Sequence, residues 1–159
     1  MPAFLKALGI EQAVWWGHSD GAVVAAMGAL HAPQRVTAVI LEALHYSAVK
    51  PRSRALLRTY GVGPGQNRLS DLRCPTLLVH GGEDPRTEPG ELDAMVEEIR
   101  QAQLSLHRDA GQSPHSGSSR DAVTSAVSAF LHSCVDGERG SRYVRRRMAP
   151  SVTFPRDFR

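Results

Sequence analysis

The stretch Val14 to Met27, VWWGHSDGAVVAAM, holds a serine, Ser19, between the glycines Gly17 and Gly21. The residues before it are apolar and include two tryptophans, which predicts a buried strand at 13–16. The residues after it are apolar helix formers, which predicts a helix over 20–31. A sharp turn from strand to helix exposes a serine hydroxyl at the end of a sheet, so Ser19 is a candidate nucleophile. The alternative is a small polar residue that only caps a tight turn.

The rest of the first 133 residues alternates between strand and helix patterns. Apolar or β-branched runs predict further strands at 35–44, within 74–85 and within 103–111. Helical spacing predicts helices at 3–9, near 53–60, at 89–102 and from 118 or 119 onward. Strands that alternate with helices form a parallel sheet with helices on both faces. The sequence therefore predicts an α/β protein with about four parallel strands in a three-layer αβα arrangement.

Composition limits the class of protein. The chain has 159 residues with 42% hydrophobic content, which is ordinary for one globular domain with a core. No apolar run is long enough to span a membrane and no signal peptide is visible. The two cysteines, Cys74 and Cys134, match neither a disulfide framework nor a zinc site, and we expect reduced thiols in a cytoplasmic protein. The following histidines fit no metal-ligand spacing, so we predict no metal site: His31, His45, His107 and His132.

The basic charge is concentrated at the C-terminus. Residues 138–159 contain seven arginines and two acids, a net of +5, so residues 1–137 carry −2 of the total of +3. A contact with nucleic acid or an anionic membrane is one interpretation of this tail. The low periodicity favours the other interpretation, a basic disordered extension, and nucleic acid is not the expected partner.

Three quoted segments carry a resemblance to a known family: LGIEQAVWWGHSDGAVVAAMGALHAPQRVTAVILEA, DLRCPTLLVHGGEDPRTEPGELDAMVEEI and AGQSPHS. They resemble the second half of the α/β-hydrolase-fold proteins, in the group of serine esterases and hydrolases with a Gly-His-Ser-Asp-Gly turn. The resemblance spans about residues 2–133. It implies a cofactor-free hydrolase that acts on a small-molecule ester or amide through an acyl-enzyme on Ser19. It further implies that the Asp20 amide is an oxyanion donor, that Asp84 is the triad acid and that His18 lines the pocket.

The chain departs from this family at the general base. Gln112 stands where the family has a histidine, and a glutamine can hydrogen-bond to a serine hydroxyl but cannot accept its proton at neutral pH. His115 is the nearby substitute, three residues further along. A base must come within about 2.6–3.2 Å of the oxygen that it deprotonates or act through a water. His115 would therefore need a rearranged loop to reach Ser19.

The chain also departs from the family in size. The resemblance accounts for four of about eight strands, which predicts a truncated α/β-hydrolase domain at 1–137 with a reduced cap at about 47–70. The first strand would be an exposed edge, which favours self-association. Two functions follow as alternatives: a weak or inactive ester or amide hydrolase, or a non-catalytic hydrolase-like remnant that acts through protein contacts.

Overall fold

A parallel sheet forms the centre of the molecule. The computed structural model describes residues 2–45 and 69–137, and within them four strands pair in the order β1-β2-β3-β4. These are β1 (Ala13–His18), β2 (Val36–Glu42), β3 (Thr76–Gly81) and β4 (Ala102–His107). All three pairs are parallel. The inner strands β2 and β3 are buried along almost their whole length, as expected for a parallel sheet covered on both faces. The predicted α/β class is confirmed.

Within residues 2–45 and 69–137, four helices cover the sheet: α1 (Pro2–Ala7), α2 (Asp20–His31), α3 (Glu91–Glu98) and α4 (Arg120–Gly137). The first three pack on one face, where Leu5, Trp15, Ala26 and Met95 belong to one buried cluster. The fourth packs on the other face through Val123, Val127 and Phe130. The three-layer arrangement predicted from the sequence is therefore confirmed. Within the described residues, no helix is long and apolar enough to cross a bilayer.

Some predicted boundaries were wrong, and pairing within the sheet explains them. The helix predicted at 89–102 ends at Glu98 because Ile99 has an extended backbone and Ala102 pairs with Thr76 in the sheet. The first strand runs on to His18, which pairs with Glu42. The predicted cap at about 47–70, apart from its last two residues, and the predicted tail at 138–159 lie outside the described residues.

The strand β1 forms one edge of the sheet. Trp15 points under α2, where a Cβ on Gly28 would overlap its ring. The alternate residues Val14 and Trp16 point to the opposite face and are 39% and 50% exposed, since α4 packs further along the sheet. The edge is thus apolar, and self-association through it stays a prediction.

Candidate functional site

Ser19 lies in the turn between β1 and α2 with an unusual backbone. Its φ is 55° and its ψ is −120°, a conformation that costs a non-glycine residue about 1–3 kcal/mol and persists only when the surroundings hold it. The Ser19 amide donates to the Glu42 carbonyl at 2.9 Å, and its carbonyl accepts from the Ala22 amide at 2.9 Å. A Cβ on Gly17 would come within 2.0 Å of the Gly21 carbonyl oxygen, so strand and helix approach too closely for a side chain there. Gly21 itself has open space around its Cα, so only the first glycine is needed for the close approach.

Gln112 contacts the hydroxyl of Ser19. Its Nε2 donates to Ser19 Oγ at 3.0 Å, across 93 residues of sequence. The backbone carbonyl of Gln112 lies 3.0 Å from His18 Nε2. A carbonyl oxygen only accepts, so this nitrogen carries the hydrogen and has no free lone pair. His18 therefore fixes the loop above Ser19 and does not offer Nε2 as a base.

His115 contacts Glu42, the last residue of β2. Its Nδ1 lies 2.8 Å from Glu42 Oε1, and its backbone amide donates to the same oxygen at 3.0 Å. Trp16 Nε1 donates to the other oxygen at 3.2 Å. The His115 ring packs edge-on against His18, with centroids 5.0 Å apart. No hydrogen bond joins His115 to Ser19 in the described part of the chain.

Sequence reasoning did not single out Glu42. The available signal was an acid at the end of an otherwise apolar strand, VTAVILE. In a parallel sheet the last residue of a strand lies at the same edge as the last residues of the neighbouring strands. Its partner His115 is 73 residues away, so the pairing itself could not be found from local patterns.

Asp84 follows β3 and is buried, and its carboxylate contacts a histidine other than His115. Its Oδ2 lies 3.2 Å from His45 Nε2, and its Oδ1 accepts from the Arg86 amide at 3.0 Å. His45 Nδ1 lies 4.0 Å from Glu91 Oε2. Within residues 2–45 and 69–137, no hydrogen bond joins Asp84 to Gln112 or His115. The structure therefore pairs the predicted acid with His45, a histidine that no sequence pattern singled out.

The loops that carry Asp84 and Gln112 nevertheless touch. The Glu83 amide donates to the Ala110 carbonyl at 2.9 Å. A Cβ on Gly81 would come within 2.0 Å of the Gly111 carbonyl oxygen. These backbone contacts hold the loop after β3, with Asp84, against the loop after β4, with Gln112, at one end of the sheet.

His80 lies beneath this region at the end of β3. Its Nε2 contacts Thr87 Oγ1 at 2.6 Å, and its ring centroid is 5.7 Å from that of His45. Burial lowers the pKa of His80, and the neighbouring His45 lowers it further. In the described ranges, no group of three or more histidine, cysteine or acidic side chains could hold a metal ion.

Asp20 begins α2 and is exposed. The first amides of a helix have no partner within the helix and carry partial positive charge. The Asp20 amide directly follows Ser19 at this helix end, and its role as an oxyanion donor stays a prediction.

No protein-family model and no curated protein sequence matches this chain. Solved structures of other proteins do match this chain. A meta-cleavage product hydrolase from Pseudomonas fluorescens IP01 is 19% identical with a TM-score of 0.65, over 81% of this chain and 68% of that one. A thermophilic esterase from Thermogutta terrifontis is 20% identical with a TM-score of 0.67, over 82% and 69%. A membrane phospholipase A described as a bacterial virulence factor is 16% identical with a TM-score of 0.69, over 84% and 61%.

This chain has the α/β-hydrolase fold. The four parallel strands and the two helical layers superpose on the corresponding parts of these hydrolases. Open α/β sheets bind ligands at the carboxyl ends of their strands. Ser19, Glu42, Asp84 and Gln112 each follow or end a different strand at that edge. Ser19, Asp84 and Gln112, which the sequence predicts as site residues, therefore lie at the edge where open α/β sheets bind ligands.

Proposed function

We propose that this chain is a serine hydrolase of low activity, with Ser19 as the nucleophile toward a small-molecule ester or amide. One observation carries the proposal: Ser19 is held in a strained turn at a helix N-terminus, with its hydroxyl bonded to Gln112. The strain supports a role beyond capping, because the Ser19 side chain makes no cap hydrogen bond to α2. The names of similar structures include an esterase, a phospholipase A and a thioesterase, which supports an acyl substrate.

The low activity follows from the chemistry of Gln112. To attack a carbonyl carbon, Ser19 must lose the proton of its hydroxyl. The Gln112 amide donates to Oγ, and with the amide turned over its oxygen would accept a hydrogen bond but not the proton. Triad proteins without their base keep about 10³–10⁴-fold catalysis over water through the oxyanion hole and binding. His115 is the substitute base in this proposal. It would take the proton of Ser19 after a shift of the loop that carries His115, or through one water.

A non-catalytic role is the second candidate. The pairing of Asp84 with His45 favours it, because the acid then contributes nothing to a base near Ser19. Under this alternative the Ser19–Gln112 bond holds the turn closed, and the exposed edge at Val14 and Trp16 contacts another protein.

A fluorophosphonate probe tests the proposal on the folded chain. We expect slow labelling, an adduct on the peptide that contains Ser19 by mass spectrometry, and no such adduct in Ser19→Ala. Circular dichroism of both proteins confirms that the variant is folded. An unlabelled Ser19 in a folded protein, or equal labelling of Ser19→Ala, would contradict the proposal and favour the non-catalytic role.

A further inference from the structure

Glu42 is a buried carboxylate held in one orientation. Only 1% of the residue is exposed. A buried ion costs several kcal/mol unless hydrogen bonds satisfy it. Two donors of His115 and the indole of Trp16 supply those bonds, so both carboxylate oxygens are engaged.

This contact selects the state of the His115 ring. A carboxylate accepts, so Nδ1 of His115 carries the hydrogen and Nε2 keeps its lone pair in the neutral ring. The side chain is 43% exposed, and no hydrogen bond within the described residues occupies Nε2. A carboxylate on Nδ1 with a free Nε2 is the arrangement that a serine hydrolase needs in its base.

Glu42 also joins this histidine to the nucleophile. Its backbone carbonyl accepts from the Ser19 amide at 2.9 Å, while its side chain holds His115. His115 packs on the ring of His18, the residue that precedes Ser19. Asp84 has no such connection, because its carboxylate contacts His45 and the Arg86 amide.

We propose that Glu42, rather than Asp84, is the positioning residue for the base of this site, and that it holds His115 with Nε2 available. This inference rests on the proposed function. As Ser19 Oγ bonds to the acyl carbon, its proton passes to His115 Nε2, directly or through one water. The carbonyl electrons move to the oxygen. When they return, the bond from the acyl carbon to the leaving oxygen or nitrogen breaks, and His115 gives its proton to that atom, so that an alcohol or amine leaves and the acyl group stays on Ser19. The Glu42 carboxylate, 2.8 Å from Nδ1, stabilises the imidazolium.

The first test does not depend on activity. In the ¹⁵N-histidine-labelled protein, with the signal assigned by its loss in His115→Ala, we expect the Nδ1-protonated form of His115. Glu42→Gln should convert it, fully or in part, to the Nε2-protonated form, because a carboxamide can donate to Nδ1. Glu97→Gln on the exposed side of α3 is the matched control and should leave the signal unchanged. An Nε2-protonated His115 in the unmodified protein, or no response to Glu42→Gln, would overturn the proposal.

The second test measures the rate of fluorophosphonate labelling of Ser19 as a function of pH. In this reaction Oγ bonds to phosphorus, fluoride leaves and the proton goes to His115. We expect Glu42→Gln to lower the rate at least tenfold and to move the pH midpoint, with Glu97→Gln unchanged. Among the described residues, the titratable groups that face the pair are His18 and His107. His18 packs on the His115 ring. Burial lowers the pKa of His107, and Glu42 raises it by a smaller amount.

The two proposals fail in different ways. A larger fall in Asp84→Asn than in Glu42→Gln would overturn the role of Glu42 and leave Ser19 as the nucleophile. No labelling of Ser19 in the unmodified chain would contradict the proposed function, and with it the role of His115 as a base. The tautomer measurement would then still decide whether Glu42 positions His115.

Discussion

In the part of the chain that the structure describes, two histidines at the carboxyl edge of the sheet each contact a buried carboxylate within 3.2 Å, and the two pairs differ in which ring nitrogen makes that contact. In one pair Asp84 contacts Nε2 of His45 at 3.2 Å, and in the other Glu42 contacts Nδ1 of His115 at 2.8 Å. The remaining nitrogen of His45 is buried, has no hydrogen-bond partner among the described residues and lies 4.0 Å from Glu91 Oε2. The remaining nitrogen of His115 belongs to a side chain that is 43% exposed.

The difference shows that the presence of an acid and a histidine does not by itself make a catalytic pair. His45 lies between the side chains of Asp84 and Glu91, both of them fully buried, so neither of its nitrogens is accessible to a substrate. Its role is to satisfy a buried charge. In the pair of Glu42 and His115, no hydrogen bond within the described residues occupies Nε2 of the histidine, and its ring packs on His18, the neighbour of Ser19.

The largest expected effect comes from a new histidine at position 112. Gln112→His should raise the labelling rate of Ser19 by about 10²-fold or more, since a general base contributes about 10²–10⁴-fold. Gln112→Ala is the control, because it removes the hydrogen bond to Ser19 without adding a base. Labelling kinetics at pH 7 measure both. No gain in a folded Gln112→His protein would contradict the view that the chain lacks only a well-placed base.

The same variant shows which carboxylate serves the new ring. Backbone contacts join the loops of Asp84 and Gln112, so Asp84 lies nearer to position 112 than their separation in the sequence suggests. We therefore expect Asp84→Asn to remove most of the gain of Gln112→His, while Glu42→Gln removes less of it. The reverse order would mean that Asp84 stays committed to His45 and that the comparison between the two pairs holds even with a histidine at 112.

Removing each histidine should affect stability to different degrees. His45→Leu leaves the Asp84 carboxylate buried with the Arg86 amide as its one remaining donor among the described residues, and we expect a loss of about 3 kcal/mol in the free energy of unfolding. His115→Leu keeps two donors to Glu42, its own amide and Trp16, so we expect about 1 kcal/mol. Urea unfolding of the two matched variants measures this. Equal losses would mean that both carboxylates depend on their histidines to the same degree.

The sequence predicted the turn at Ser19 and the sheet better than it predicted these pairs. Strand and helix patterns are local, so the apolar runs around Ser19 predicted α2 with its bounds and β1 without its last two residues. The resemblance to a family placed Gln112 at the position that contacts the Ser19 hydroxyl. The partners of Asp84 and His115 lie 39 and 73 residues away, and the choice of partner depends on how the strand ends meet in three dimensions. Glu42 and His45 were therefore missed.

The contact between the two loops gives a smaller effect. A methyl group on Gly81 would overlap the Gly111 carbonyl oxygen, so Gly81→Ala should lower the free energy of unfolding by about 2 kcal/mol. Gly21→Ala, where the added Cβ meets nothing within 4 Å, is the matched control and should change stability little. Urea unfolding compares the two. A neutral Gly81→Ala would mean that the loops of Asp84 and Gln112 separate easily, which would weaken the expectation that Asp84 serves a histidine at 112.

The smallest expected effect is on how the stability of the protein depends on pH. It involves His80, which lies beside the pair of Asp84 and His45. Burial and the His45 ring lower the pKa of His80 below its ordinary value of about 6.5. Between that value and the lower pKa of the folded state, the unfolded chain binds more protons, so His80 makes the protein less stable as the pH falls through this window. His80→Gln, which keeps a hydrogen-bonding group for Thr87, should flatten the fall of the urea midpoint below about pH 6.5, the unfolded-state pKa of histidine. His132→Gln, exposed on α4, is the control and should leave the slope as it is. An unchanged slope in His80→Gln would mean that the acid sensitivity of the protein does not arise from His80.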